Sequence, residues 1–516
     1  MPLDNPISRR EFLRNTALLS GSLLASGLPG LPWTKDASKA EAAIMGIGQE
    51  LRDVLNMETV NRILIEALRK GGDFADLYAE QRFRTSIVLE DGKIDSVTYG
   101  YPRGAGVRVF FRRQTGYAFA DEIAYSSLLD AARLAGTVVT NQSPAQPLDV
   151  APRNYPVSFR LSSPEPLMAE PTKFDVLRRM DAAARSVDPR IASVRIEYLD
   201  EARDVLIGTS DGSYLLDRQY LVQVACVPTA VQGNERRFGF GALGGRVDDD
   251  YFARHDPEGV AREAAREALT LLTAGPAPAG SMPVVIAPGW GGVLIHESFG
   301  HALEGDGIAR GTSLLSGMLG QKVASPVLRV IDDGRWPNGR GSYNFDDEGT
   351  PAQTTVLIDG GVLRSYLLDR QNASLLSLRS TGNARRMTYR EWPLPRMTNT
   401  YIDRGTSDPS ALLTGITKGF YAADLAGGSV DTTSGNFNFA VRLGYLIENG
   451  KLTQPVRGAV LIGNSLDTMK RIEGIGNDLA VNQTHGTCGK DGQLIPVGVG
   501  QPTVRFSSIT VGGTAI

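Results

Sequence analysis

His296-Glu297-Ser298-Phe299-Gly300-His301 is the stretch on which the reading of this chain turns. It has the form H-E-x-x-x-H and holds two of the four histidines in 516 residues. Paired imidazoles can hold a divalent ion, and a carboxylate beside them can take a proton from water. The spacing is one residue longer than in the common zinc-protease motif H-E-x-x-H. On a regular helix each residue turns about 100°, so positions i and i+5 point about 140° apart. A π-turn, bonded i→i+5, brings them back onto one face. The motif therefore predicts a π-turn between His296 and His301. Gly300 is the position where a distorted backbone costs least.

Catalytic zinc usually keeps three protein ligands and one open position, so a third donor must come from elsewhere. Outward from the motif, Cys488 stands in Gly486-Thr487-Cys488-Gly489-Lys490-Asp491-Gly492, where glycines let the chain approach an ion closely. His485, three residues upstream, is the alternative donor. Glu304 and Asp306 follow the motif as carboxylates able to orient a ligating histidine. Cys226 lies in the apolar run Leu221 to Val227 and reads as a buried strand residue. Two cysteines give no disulfide framework.

The first half reads as helices at 58–71, 125–139, 172–187 and 257–272, with strands at 75–122 and 190–229. Turns are expected at Asp91-Gly92, Arg103-Gly104 and Asp211-Gly212. The linker Ala274-Gly275-Pro276-Ala277-Pro278-Ala279-Gly280 marks a boundary. Beyond it come a short strand at 282–287, a motif helix at 291–303, and then mostly strands and glycine turns. The fold class is α+β, with an N-terminal mixed α/β domain over residues 43–273 and a β-rich catalytic domain over 281–516. Gly427-Gly428-Ser429 is a candidate for holding substrate backbone against a strand edge, with an ordinary tight turn as the competing reading.

Residues 1–42 read as an address. Arg9-Arg10, then Phe12-Leu13, precede a modest apolar run from Ala17 to Leu28 that Pro29 and Pro32 end. This is the pattern of a twin-arginine export signal, too short and too rich in small residues to span a bilayer. It implies an exported, periplasmic protein with no membrane span in the mature chain. A net charge of −3 gives no bulk attraction to nucleic acid.

The strings His296 to Asp306, Asp346-Asp347-Glu348-Gly349-Thr350-Pro351, Pro395-Arg396-Met397-Thr398-Asn399-Thr400-Tyr401 and Cys488 to Gln493 resemble the TldD/PmbA family of metallopeptidases. The tail, Pro496 to Thr503 and Val511 to Ala515, is similar to that family too. Within the family, the full H-E-x-x-x-H with the late cysteine resembles the metal-bearing, TldD-like kind of subunit. The resemblance implies His296, His301 and Cys488 as zinc ligands and Glu297 as catalytic base. It also implies a largely antiparallel, barrel-like β domain at the C-terminus and unfolded or modified peptides as substrates. The assembly implied is a homodimer or a heterodimer with a metal-free TldE/PmbA-like relative.

The activity expected is zinc-dependent peptide hydrolysis, one ion per chain. The donor set is compatible with iron(II) as well. A non-catalytic peptide-binding or assembly subunit with a structural zinc is the rival reading, and Glu297 argues against it, because a structural site needs no base. An exported redox protein finds no cysteine cluster, haem motif or dinucleotide fingerprint to support it.

Overall fold

Along the first long strand the odd positions Ala75, Leu77, Ala79, Ile87 and Leu89 are apolar, while Asp76, Tyr78, Glu80, Arg82 and Arg84 fill even ones. Side chains alternate faces with period two, so this pattern sends apolar groups one way and a charged row the other. Both faces are covered, which is why Phe74 to Gln81 is buried at every position. The computed structural model describes residues 33–34, 49–139, 142–153, 168–247, 251–482 and 484–513. The proposed export signal lies outside them, apart from the pair Trp33–Thr34.

The first half runs α1 (Met57–Ala67), β1 (Phe74–Glu90), β2 (Lys93–Gly100), β3 (Arg103–Phe111), β4 (Gln114–Ala120) and α2 (Tyr125–Ala135). It continues with α3 (Glu170–Arg185), β5 (Ile191–Thr209), β6 (Ser213–Gln232), β7 (Glu235–Phe238), β8 (Gly241–Gly245) and α4 (Pro257–Thr273). Its strands form one antiparallel-dominated sheet ordered around β2-β1-β5-β6-β8. On the odd face of β1, Leu77 and Ala79 pack with α1 and α2, and Ile87 and Leu89 pack with α3 and α4. Residues 103–104 open β3 rather than forming a turn: β2 and β3 run in the same direction along one edge of β1 with a break at Tyr101-Pro102, and the reversal falls at Arg112-Arg113. Pro102 cannot donate to a ladder, so the break falls there. Cys226 lies buried in β6 and both cysteines are free thiols.

The second half begins with β9 (Gly280–Ile286) and continues with α5 (Arg370–Leu375), β10 (Lys418–Val430), β11 (Asn436–Glu448), β12 (Ala459–Asn464), β13 (Thr487–Lys490), β14 (Gln493–Pro496) and β15 (Val504–Gly512). β9 pairs with β10, β10 with β11, β11 with β12, β12 with β15 and β15 with β9, so the sheet closes on itself as a barrel. All of these pairings are antiparallel except β9–β10. Closure removes the free edges those strands would otherwise expose. The linker is not loose: Gly275–Pro276 pairs with Val456 and Arg457, adding a short strand beside the barrel. The apolar core of this half includes Ile286, Ile295, Phe299, Phe420, Phe439 and Val504.

The polar face of the first sheet meets the second half through buried ion pairs. Arg108 donates to Asp76 at 2.7 Å and to Glu348 at 2.6 Å, all three within 1% of full burial. Arg203 reaches Asp347 at 3.0 Å, and the Tyr389 amide donates to Glu80 at 3.1 Å. Each buried charge is thereby paired, as burial demands. Asp347 and Glu348 therefore clasp the second half to the first sheet.

Asp369 caps α5 by accepting from the Asn372 amide. Burial and the neighbouring Glu348 push its carboxyl up to about 7. The folded chain thus holds a proton that an unfolded carboxyl, near 3.9, releases, so this group's stability contribution falls as pH rises from about 4 to about 7. Asp369→Asn keeps the cap acceptor and removes the charge. Its gain in Tm over wild type should grow between pH 5 and pH 8 by scanning calorimetry, and a pH-independent difference would refute the assignment.

Candidate metal centre

After β9 the chain turns through a 3-10 segment at Gly289–Gly292 and one short α-turn at Val293–Ile295, and then widens into a π-turn at His296–Gly300. The His301 amide bonds the His296 carbonyl, the i→i+5 link the spacing predicted. A regular helix over 291–303 does not form, because short 3-10, α and π segments follow one another through that span. Gly300 itself has an ordinary right-handed backbone. Glycine is needed there for space: a Cβ would sit 2.0 Å from Met397 Sδ.

The π-turn brings the His296 and His301 rings to 5.3 Å between centroids. The hairpin β13–β14 carries Cys488 to the same place, its Sγ 3.4 Å from His301 Nε2. One donor atom from each of His296, His301 and Cys488 lies within 4.8 Å of the others, the only such group among the described residues. Two donors on one tetrahedral zinc stand about 3.5 Å apart, given Zn–S near 2.3 Å and Zn–N near 2.0 Å. The cluster therefore fits a divalent ion with two nitrogens and one sulfur. His296 Nδ1 is buried without a hydrogen-bond partner in the chain, as a donor kept for something else would be.

Charge is arranged to suit. Burial opposes ionisation of Cys488, but His301, His296 and Arg396 overcome it and hold the thiol well below its usual range. Glu297 keeps 22% of its side-chain surface exposed, with Oε2 3.7 Å from His301 Nε2. Burial raises its carboxyl above the ordinary value, against the pull of His301 and His296. A raised carboxyl is closer to the range in which a general base works.

Glu304 accepts from His301 Nδ1 at 3.0 Å, which leaves Nε2 facing Cys488. Burial is outweighed by Lys490 and His301, and Glu304 is held down to about 2. Lys490 Nζ bridges Glu304 at 3.0 Å and Asp306 at 2.6 Å. Asp306 therefore acts one step further out, touching Lys490 and Arg310 rather than a ligand. Arg396, fully buried, donates to the Cys488 carbonyl at 2.7 Å. Lys490 and Arg396 are roles that sequence reasoning missed. Lys490 was signalled, since two residues beyond Cys488 on a strand is the same face. Arg396 was not, because only the fold places it behind the hairpin.

His485 stands apart from the three donors. It is held between Trp290, tilted at 4.2 Å, and Phe240, edge-on at 4.7 Å, with Nδ1 bonded to Thr484 Oγ1. Burial, with Arg442 and Arg340 nearby, holds it neutral down to about 3. Gly427, Gly428 and Ser429 are strand residues of β10, in register with β11 as far as Val430↔Phe437, and not a tight turn. β9 leaves the other edge of β10 after Ala422, and Trp290 Nε1 donates to the Leu425 carbonyl at 2.9 Å. From Gly427 on that edge has no strand partner among the described residues, and β10 packs against the π-turn.

A two-histidine, one-thiolate centre with a carboxylate beside it, set at the rim of a closed barrel, defines a hydrolytic metalloenzyme. Comparison with known proteins gives the family. Models described as the PmbA/TldA metallopeptidase domain 1, central domain and C-terminal domain match residues 75–138, 164–272 and 279–513. The chain belongs to this family of metallopeptidases. It is 39% identical over 467 residues to a metalloprotease TldD homolog of Haemophilus influenzae, covering 89% of this chain and 97% of the relative. A metalloprotease TldD homolog of Buchnera aphidicola is 36% identical with the same coverage, and a zinc metalloprotease TldD homolog of Saccharolobus solfataricus is 26% identical over 449 residues, covering 86% and 97%. Among solved structures, TldE from Thermococcus kodakarensis superposes with a TM-score of 0.70 at 19% identity, covering 89% of this chain and all of the other. A Thermotoga maritima protein named for modulation of a DNA gyrase gives 0.72 at 21% identity, covering 88% and 99%. These last two likenesses concern the fold.

Lys490→Met should lower metal affinity about 10- to 100-fold, read by competition with a chromophoric chelator, and Lys490→Arg should restore part of it. Unchanged affinity in the methionine variant would show that the Lys490–Glu304 bridge does not position the ligands.

Proposed function

We propose that the protein is an exported, zinc-dependent peptidase acting on unfolded or modified peptides. The observation that carries the reading is the π-turn that sets Glu297 beside a three-donor cluster which Cys488 completes from a distant hairpin. His296, His301 and Cys488 would hold the ion. When bound, it would polarise the scissile carbonyl and acidify a water molecule. Glu297 takes the proton from that water and delivers it to the leaving amine. Glu304 fixes the His301 tautomer throughout. The peptide backbone pairs with the free edge of β10 at Gly427, Gly428 and Ser429, which gives weak sequence preference because main-chain groups do the binding. The name of the Saccharolobus relative supports zinc.

The same reading takes the assembly to be a dimer, of two copies or with a metal-free relative. The fold shared with TldE supports the second arrangement. Export rests on Arg9-Arg10 and the apolar run behind them.

Metal content by mass spectrometry should show about one zinc per chain, with most of it lost in Cys488→Ala. Glu297→Gln should keep the metal and lose about 100- to 10,000-fold in peptide turnover. Full activity in Glu297→Gln would remove the base assignment, and zinc retained in Cys488→Ala would remove the thiolate. Arg9→Lys with Arg10→Lys should leave the protein in the cytoplasmic fraction of a host with a twin-arginine system. Undiminished periplasmic protein would refute that route.

A further inference from the structure

On the outer face of β10–β11, where the barrel meets the central part of the chain, lies a cavity of about 520 Å³. Its walls are mainly apolar: Val227, Phe238, Phe240 and Leu271 on one side, Ala426 and Ala440 on the other. The volume suits a large side chain or a small ligand. Arg442, beneath Phe240, is neutralised by Glu267 at 3.0 Å and by Asp424. Arg457 and Arg236 also line the cavity. Arg457 donates to the Leu271 and Ala274 carbonyls, and neither arginine has a carboxylate within ion-pairing distance among the described residues. The rim is therefore positive.

Register ties this cavity to the free strand edge. Gly427 pairs with Ala440, and Ser429 with Asn438. Gly428 and Val430 pair with Phe439 and Phe437, which point into the barrel core. Residues opposite one another in a sheet share a face, so Gly427 and Ser429 lie on the cavity face with Ala440. A peptide residue paired across from Gly427 would send its side chain to that same face. Gly427 has open space on its side-chain side, with nothing within 4 Å of a built Cβ.

We propose that the cavity is a substrate subsite that takes an apolar side chain of a peptide laid along β10, with an acidic neighbour in the peptide held by Arg236 and Arg457. It rests on the peptidase reading above and names the class of peptide that reading would favour. A random peptide library digested by the zinc-loaded enzyme, with products sequenced by mass spectrometry, tests it. One fixed position relative to the scissile bond should be enriched in Leu and Phe, next to Asp or Glu. Val227→Phe and Ala440→Leu fill the cavity from opposite walls. Each should reduce the kcat/KM ratio of Phe over Gly at that position by about tenfold or more. Arg236→Glu should erase the acidic preference. Cleavage without positional preference, or a preference unchanged in both filling variants, overturns the subsite and leaves the peptidase reading standing. No cleavage by the zinc-loaded wild type overturns that reading and the subsite with it.

Discussion

The centre depends on one buried bridge, Lys490 to Glu304 to His301. His301 ends the π-turn and Lys490 belongs to the hairpin that carries Cys488, so the bridge fastens two segments far apart in sequence. Loop closure over such a separation is entropically costly, and a charge-assisted contact between buried groups offsets part of it. Arg396 does the same from behind, by holding the Cys488 carbonyl. The donors are thus placed by the protein's own contacts, so an ion entering them meets a site that needs little rearrangement.

The same principle, charges buried only in company, joins the two halves. The even face of β1 would be an intolerable surface if left dry and unpaired. It is satisfied by Glu348, Asp347 and the Tyr389 amide from the second half, while Asp76 and Arg108 satisfy each other. Breaking one partner leaves an uncompensated buried charge, so the clasp fixes one docking geometry rather than adding generic adhesion. That geometry also sets Phe240 of the first half against His485 and against the wall of the β10–β11 cavity. The relative placement of the halves therefore shapes the β10–β11 cavity as well as stability.

The free edge of β10 is the counterpart of barrel closure. β9 departs after Ala422, and from Gly427 on that edge of β10 has no strand partner among the described residues. An edge left open beside a metal centre is where extended backbone can add as a strand. Bulges between Ala422 and Gly427 re-aim β10 at that point.

Much of this was readable in the sequence. The five-residue separation of His296 and His301 required an i→i+5 turn, because helical periodicity is local geometry. The alternation of β1 and the helices α1 and α4 followed from hydrophobic period. Cys488 was singled out by its glycine-rich, polar neighbourhood and by a family resemblance. Only the tertiary structure decided the rest. His485 resembled a donor in sequence, yet it lies between two aromatic rings contributed by distant segments. Gly300 read as a point of backbone freedom, yet it is a point of close approach to Met397. Gly427 to Ser429 read equally well as a turn, and became a strand because β11 pairs with it. The division has a physical reason: local sequence sets dihedral preferences and periodicity, whereas partners across the fold, which determine burial, charge and access, exist only once the halves have docked.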